Sequence, residues 1–224
     1  MADPSSGMST RVAESLLGLA QFASKLKSVP RTGWLDRGVP PLQVESVADH
    51  SLGVALLAWG CALQRRAEGV AINPERVLML AILHDLAEAE TGDVPPYDPA
   101  AIPDTHEPAA RRAFLETRHR RDPDRDAAKR SDEDAAVREL LNTLPGATRS
   151  ALEEVWDDLR QGTSSEARFV KQVDRLETFL QSRSYLRADP TFPMASFRQE
   201  VFESIDDPLL SAIRDAALAD DTRD

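Results

Sequence analysis

The sequence predicts an all-α fold, on three observations. Apolar residues recur at helical spacing in almost every periodic segment. No convincing run of alternating strand residues interrupts them. Asparagine, aspartate, proline and glycine fall where helices begin and end. With 224 residues, 42% of them hydrophobic and 29% charged, the chain can bury a real core.

The first helix is expected over Thr10–Lys27, with Val12, Leu16, Leu19, Phe22 and Leu26 on one face and Pro30 beyond its end. Residues 1–9 are small and polar and read as a flexible tail, without the basic and apolar regions of a signal peptide. The segment 28–45, "SVPRTGWLDRGVPPLQVE", reads as a long loop, a common place for function. Asp49 is a candidate N-cap for a helix over His50–Glu68, whose nearly continuous apolar content suggests a buried, central element. Asn73 and Pro74 open a third helix to about Glu90, which Gly92 ends.

Residues 104–134 are dominated by charge and predict a helix over Glu107–Arg120, a break at Pro123, and a helix over Asp126–Leu144. The stretch around 100–125 reads as a charged, flexible insertion. Helices over Ser150–Gln161, Ser165–Leu186 and Ala195–Ile205 follow, and "PLLSAIRDAAL" forms one more. Residues 10–224 are expected to make a single domain.

Charge excludes some partners. A net charge of −11 gives no general field for a nucleic-acid polymer or an anionic membrane. No apolar run approaches the ~18 residues of a membrane span. The lone cysteine, Cys61, cannot form an internal disulfide and reads as a buried small hydrophobe, which leans cytoplasmic.

The chemistry concentrates in "LMLAILHDLAEAETGD", where His84 and Asp85 end an apolar run. A carboxylate is costly to bury without a partner. His50 and Asp174 lie on similarly apolar segments. Alone, His50 reads as a hydrogen-bonded histidine and Asp174 as an ion-pair partner of Lys171 or Arg175. Together, two imidazoles and two carboxylates form a nitrogen–oxygen donor set suited to a divalent transition metal. Glu88 shares a helix face with His84 and Asp85 and could serve as general base toward a water there, and Asp93 follows across Gly92.

The array His50, His84-Asp85, Asp174 resembles the HD-domain metal-dependent phosphohydrolases. "LKSVPRTGW", "ESVADHS", "HDLAEAETGD" and "EARFVKQVDRLE" are similar to the 5'-deoxynucleotidase family within them, over about residues 10–205. The resemblance implies an HD-domain helical bundle, a homodimer, and a divalent metal (Mn, Co, Mg, Fe or Zn) held by His50, His84, Asp85 and Asp174. It implies release of phosphate from deoxyribonucleoside 5'-monophosphates, with Glu88 activating water and Asp93 placing water or substrate. In some relatives Glu88, Asp93 and the Val94 carbonyl would hold a second metal. Trp34 matches a substrate-loop tryptophan. Bacterial members carry arginine directly before it; here Gly33 stands there, and the phosphate ligand is Arg31 or Arg37, Arg31 being preferred. His106 and His119 read as surface histidines. Another phosphorylated metabolite or a polyphosphorylated nucleotide is the alternative substrate. A non-catalytic scaffold fits poorly, because all four ligands are present.

Overall fold

The computed structural model describes residues 4–220. It is all-α, and among the described residues the only extended pairing is an isolated bridge between Pro30 and Ser46. The helices are α1 (Pro4–Lys25), α2 (Thr32–Asp36), α3 (Val47–Ala67), α4 (Pro74–Leu83), α5 (Glu88–Thr91), α6 (Pro108–Glu116), α7 (Pro123–Thr143), α8 (Gly146–Gln161), α9 (Ser165–Ala188), α10 (Ala195–Ser204) and α11 (Pro208–Asp220). No helix among the described residues is long and apolar enough to cross a membrane.

Local chemistry explains the boundaries. Ser46, not Asp49, is the N-cap of α3. The Ser46 hydroxyl accepts from the Asp49 backbone N–H while the Asp49 carboxylate accepts from the Ser46 N–H, a reciprocal capping box that satisfies two otherwise orphaned donors. Asn73 caps α4 as expected, with Pro74 at its first position. Pro123 opens α7 rather than breaking the chain, because Asp122 caps the helix and a proline at the first turn loses no hydrogen bond. Helix α1 begins at Pro4 rather than Thr10. Part of the expected 1–9 tail is therefore helical, and residues 1–3 lie outside the described residues.

The largest core cluster joins α3, α4 and α9 to α8, α10 and α11, through Val54, Ala58, Leu80, Val173, Leu176, Phe179 and Leu210. A second joins α1 to α7 and α8 through Phe22, Leu140 and Trp156. A third, smaller cluster packs Trp34 and Val39 against Tyr185 and Met194. Helix α3 is central but not wholly buried. Leu52, Leu56 and Trp59 face outward at 41–61% exposure, and Met79 and Ile82 of the adjoining α4 do the same. The expected flexible insertion carries α6, buries Leu115, and pins Arg118 to Glu200 and Glu203 of α10. A charged segment can thus pack when its charges find partners across the chain.

Candidate metal centre and cleft

The predicted single helix 74–90 stops at Leu83. From Leu83 to Glu88 the backbone tightens into i,i+3 turns, with Leu86 N–H donating to Leu83 O and Glu88 N–H to Asp85 O. Residues three apart eclipse in such a turn, so Asp85 and Glu88 share a face. His84 Nδ1–H donates to the Ala81 carbonyl at 2.7 Å, which leaves Nε2 as the free lone pair. That atom lies 3.1 Å from Asp85 Oδ2 and 3.4 Å from His50 Nε2.

His50, one turn into α3, is fully buried. Its Nδ1 donates to Glu177 Oε2 at 2.6 Å and its Nε2 lies 3.1 Å from Asp174 Oδ1. The ligand atoms of His50, His84 and Asp85 all fall within 4.8 Å of one another, and Asp174 joins them through His50. The four residues expected from sequence therefore converge from α3, the end of α4, and α9.

These residues fit a divalent cation. Two imidazole Nε2 atoms face each other at 3.4 Å with carboxylates alongside, and each ring already spends Nδ1–H elsewhere. Without a metal, only protons can relieve the clash of lone pairs. Burial and Arg31 push the His50 pKa down, but hydrogen bonds to Asp174 and Glu177 more than offset them, raising it to about 10. Burial likewise opposes, and Asp85 outweighs, in raising His84. Against burial, the two histidines hold Asp85 and Asp174 below the usual carboxylate range. A divalent cation bound here would compete with these protons.

Glu88 is 4% exposed. Its Oε1 lies 3.4 Å from Lys129 Nζ, and its Oε2 is buried with no hydrogen-bond partner. Burial first, then Asp85 and Asp93, push its pKa well up, only partly countered by Lys129 and Arg31. An unpartnered buried carboxylate oxygen beside the ligand cluster marks a place for a water or cation.

Asp93 accepts from the Thr32 N–H at 2.5 Å, and its carbonyl accepts from the Thr32 hydroxyl at 2.8 Å. It thereby ties the start of α2 to the site; the segment 28–45, expected to be one long loop, carries this short helix. Arg31 sits above, with Nη1 3.6 Å from Asp85 and 3.7 Å from Asp93, and Nη2 3.5 Å from the Thr178 hydroxyl. Arg37 is built differently. It donates to the carbonyls of Gly33, Pro193 and Leu115 and to the hydroxyls of Ser196 and Tyr97, and it lies over the Phe197 ring. Trp34 is 1% exposed, packs on Tyr185 and Phe197, and donates Nε1–H to Glu45 at 2.8 Å.

A cleft of about 260 Å³ is lined by Arg31, Trp34, Arg37, Asp85, Glu88, Asp93 and Asp174 together with Tyr97, His119 and Phe197. His119 packs on Phe114 and Tyr97, with Nε2–H donating to the Phe114 carbonyl. It is part of the cleft wall, about midway in exposure, while His106 is fully on the surface. Arg121 donates to the carbonyls of Val94 and Pro95, each at 2.8 Å. Sequence reading missed Lys129, hidden in a charged stretch and placed only by the packing of α7. It also missed Glu177, which was legible as the residue one turn beyond Asp174.

An HD-domain family model matches residues 23–211. The chain is 35% identical over 184 residues to the 5'-deoxynucleotidase HDDC2 of Bos taurus, covering 82% of this chain and 74% of that protein. It is 35% identical over 173 residues to the Homo sapiens protein of the same name, covering 77% and 69%. Among solved structures, a conserved hypothetical protein from Pyrococcus furiosus aligns with a TM-score of 0.65 at 25% identity, over 91% of this chain and 99% of that one. A predicted metal-dependent phosphohydrolase from Magnetospirillum magnetotacticum, at 18% identity and a TM-score of 0.61 over 95% and 94%, shares the fold. With the histidine–aspartate pair at the heart of the site and the match spanning both ends of the ligand set, this chain belongs to the HD-domain family, among its 5'-deoxynucleotidases.

Proposed function

We propose that the chain is a metal-dependent phosphomonoesterase that hydrolyses (deoxy)ribonucleoside 5'-monophosphates to nucleoside and inorganic phosphate. The observation that carries this reading is Glu88, a buried carboxylate with one unpartnered oxygen, near enough to Asp85, Asp93 and Arg31 to feel their charges. His50, His84, Asp85 and Asp174 would hold the metal. A nitrogen–oxygen donor set of this kind suits Mn, Co, Fe or Zn, and Mg more weakly. When bound there, a divalent cation supplies positive charge to the phosphoryl oxygens and orients a water.

The chain's own groups do the rest. Arg31, which the site carboxylates keep charged against the pull of burial, meets the phosphate with its planar fork. Glu88 accepts the proton of the attacking water, and burial with the nearby Asp85 and Asp93 raises its affinity for that proton. Water oxygen bonds to phosphorus as the ester oxygen leaves with the nucleoside. Asp93 holds Thr32 and so the substrate loop in register. Phe197, backed by the buried Trp34, forms the apolar wall against which sugar or base packs.

Phosphate release from deoxy- and ribonucleotides, measured with Mn, Co, Mg or chelator, tests this reading. Turnover with at least one metal and none with chelator is expected; no turnover with any metal sinks it. Glu88→Ala should keep the metal and lose about 10²–10⁴ of the rate. A second cleft of about 560 Å³ also reaches Asp85 and Asp174, lined by Arg121, Lys129, Arg160, Arg168 and Lys171 beside Asp126 and Glu133. It favours a second reading, a polyphosphorylated nucleotide or another phosphorylated metabolite, and nucleoside triphosphates in the same panel decide between them.

We also propose a homodimer through the outward apolar face of Leu52, Leu56, Trp59, Met79 and Ile82, a patch of the kind monomers rarely leave open. Leu56→Glu should convert a dimer to a monomer in light scattering. The buried free thiol of Cys61 accords with a cytoplasmic setting.

A further inference from the structure

Asp174 and Glu177 stand three residues apart on α9, and both reach His50, from opposite edges of its ring. Asp174 Oδ1 lies 3.1 Å from Nε2, the metal-facing atom, and Glu177 Oε2 lies 2.6 Å from Nδ1. An imidazole that ligates through Nε2 must carry its proton on Nδ1, and a carboxylate accepting that proton's hydrogen bond fixes both tautomer and ring orientation. Glu177 is 14% exposed at its side chain and His50 fully buried, so little water competes for this contact.

Helix α3 makes room for it. A Cβ on Gly53 would lie 2.6 Å from Glu177 Oε1 and 3.1 Å from its carboxyl carbon. Glycine is a poor residue for a helix interior, by about 1 kcal/mol against alanine. At this position its missing side chain is the space the Glu177 carboxylate fills.

Glu45 completes the surroundings. Ligand atoms of Glu45, His50 and Glu177 also fall within 4.8 Å of one another, but Glu45 Oε1 already accepts from Trp34 Nε1–H. The cluster therefore reads as the outer support of one metal centre and not as another cation site.

We propose that Glu177 is a positioning residue that holds His50 as a metal ligand, and that Gly53 is required so that Glu177 can do so. The proposal rests on the metal reading given above.

The test is the Mn²⁺ dissociation constant of the full chain, read by electron paramagnetic resonance, beside thermal melting of the metal-free protein. Glu177→Ala and Gly53→Ala should each weaken Mn²⁺ binding about 10–100-fold. Glu177→Gln should lose less, because its amide oxygen still accepts from Nδ1–H. Metal-free Gly53→Ala should melt close to wild type, since what alanine contributes to the helix offsets part of the lost Glu177–His50 bond. Mn²⁺ affinities within twofold of wild type in Glu177→Ala and Gly53→Ala would overturn the proposal with the metal reading intact. A wild-type chain that binds no divalent metal would overturn both.

Discussion

Arg31 and Arg37 lie six residues apart, at the two ends of α2, and are built for opposite tasks. Arg37 gives its donors to neutral acceptors at 2.9–3.4 Å, three carbonyls and two hydroxyls, and stacks on Phe197. Burial pulls its pKa down, with Tyr97 and Asp36 only partly opposing. Arg31 makes looser contacts of 3.5–3.7 Å, to Asp85, Asp93 and Thr178. The same burial is outweighed there by carboxylates, and its pKa rises. A guanidinium whose hydrogen bonds are saturated ties segments together; one held at a distance by anions has donors to offer an incoming phosphate.

Substitutions can break this contrast. Arg31→Ala should lower kcat/KM by about 10²–10³, the scale of one preorganised contact to developing charge, with the melting temperature nearly unchanged. If activity survives at wild-type level, Arg31 is not the phosphate ligand. Arg37→Ala should reverse the pattern: chemical denaturation should show a loss of about 2–4 kcal/mol, because several buried acceptors lose their donor at once. The folded fraction should retain most of its turnover, and a stability unchanged by this variant would refute the structural assignment. Trp34→Phe should have the smallest effect, about 1 kcal/mol for the lost bond to Glu45, with a modest rise in KM from a wall that keeps its shape.

The sequence could not tell these arginines apart, because the difference lies in what α6, α10 and the Pro193 carbonyl bring to Arg37 from 78 to 159 residues away. The candidate ligands were legible because each is a polar residue breaking an apolar stripe, a local signal. The helix pattern was legible for the same reason, and its errors fell at boundaries. Asp49 looked like a cap because it precedes the apolar run, yet it sits inside the first turn as the reciprocal half of Ser46's box. The break after Leu83 left no mark in the periodicity, since apolar residues continue through Leu86 and Ala87, both buried. Lys129 was lost among neighbouring charges, and only the approach of α7 to α5 shows that it faces Glu88.

That break has a consequence for how the molecule holds together. His84 and Asp85 are adjacent in sequence and present their donor atoms 3.1 Å apart, so they form a small chelate with almost no loop entropy to overcome. His50 and Asp174 are separated by 124 residues. A cation captured by the chelate and then shared with both would act as a topological staple, fastening α3 and α9 to the end of α4. The folded chain would then gain stability in proportion to the logarithm of free metal, and the catalytic ion would double as a cross-link between the two halves of its core.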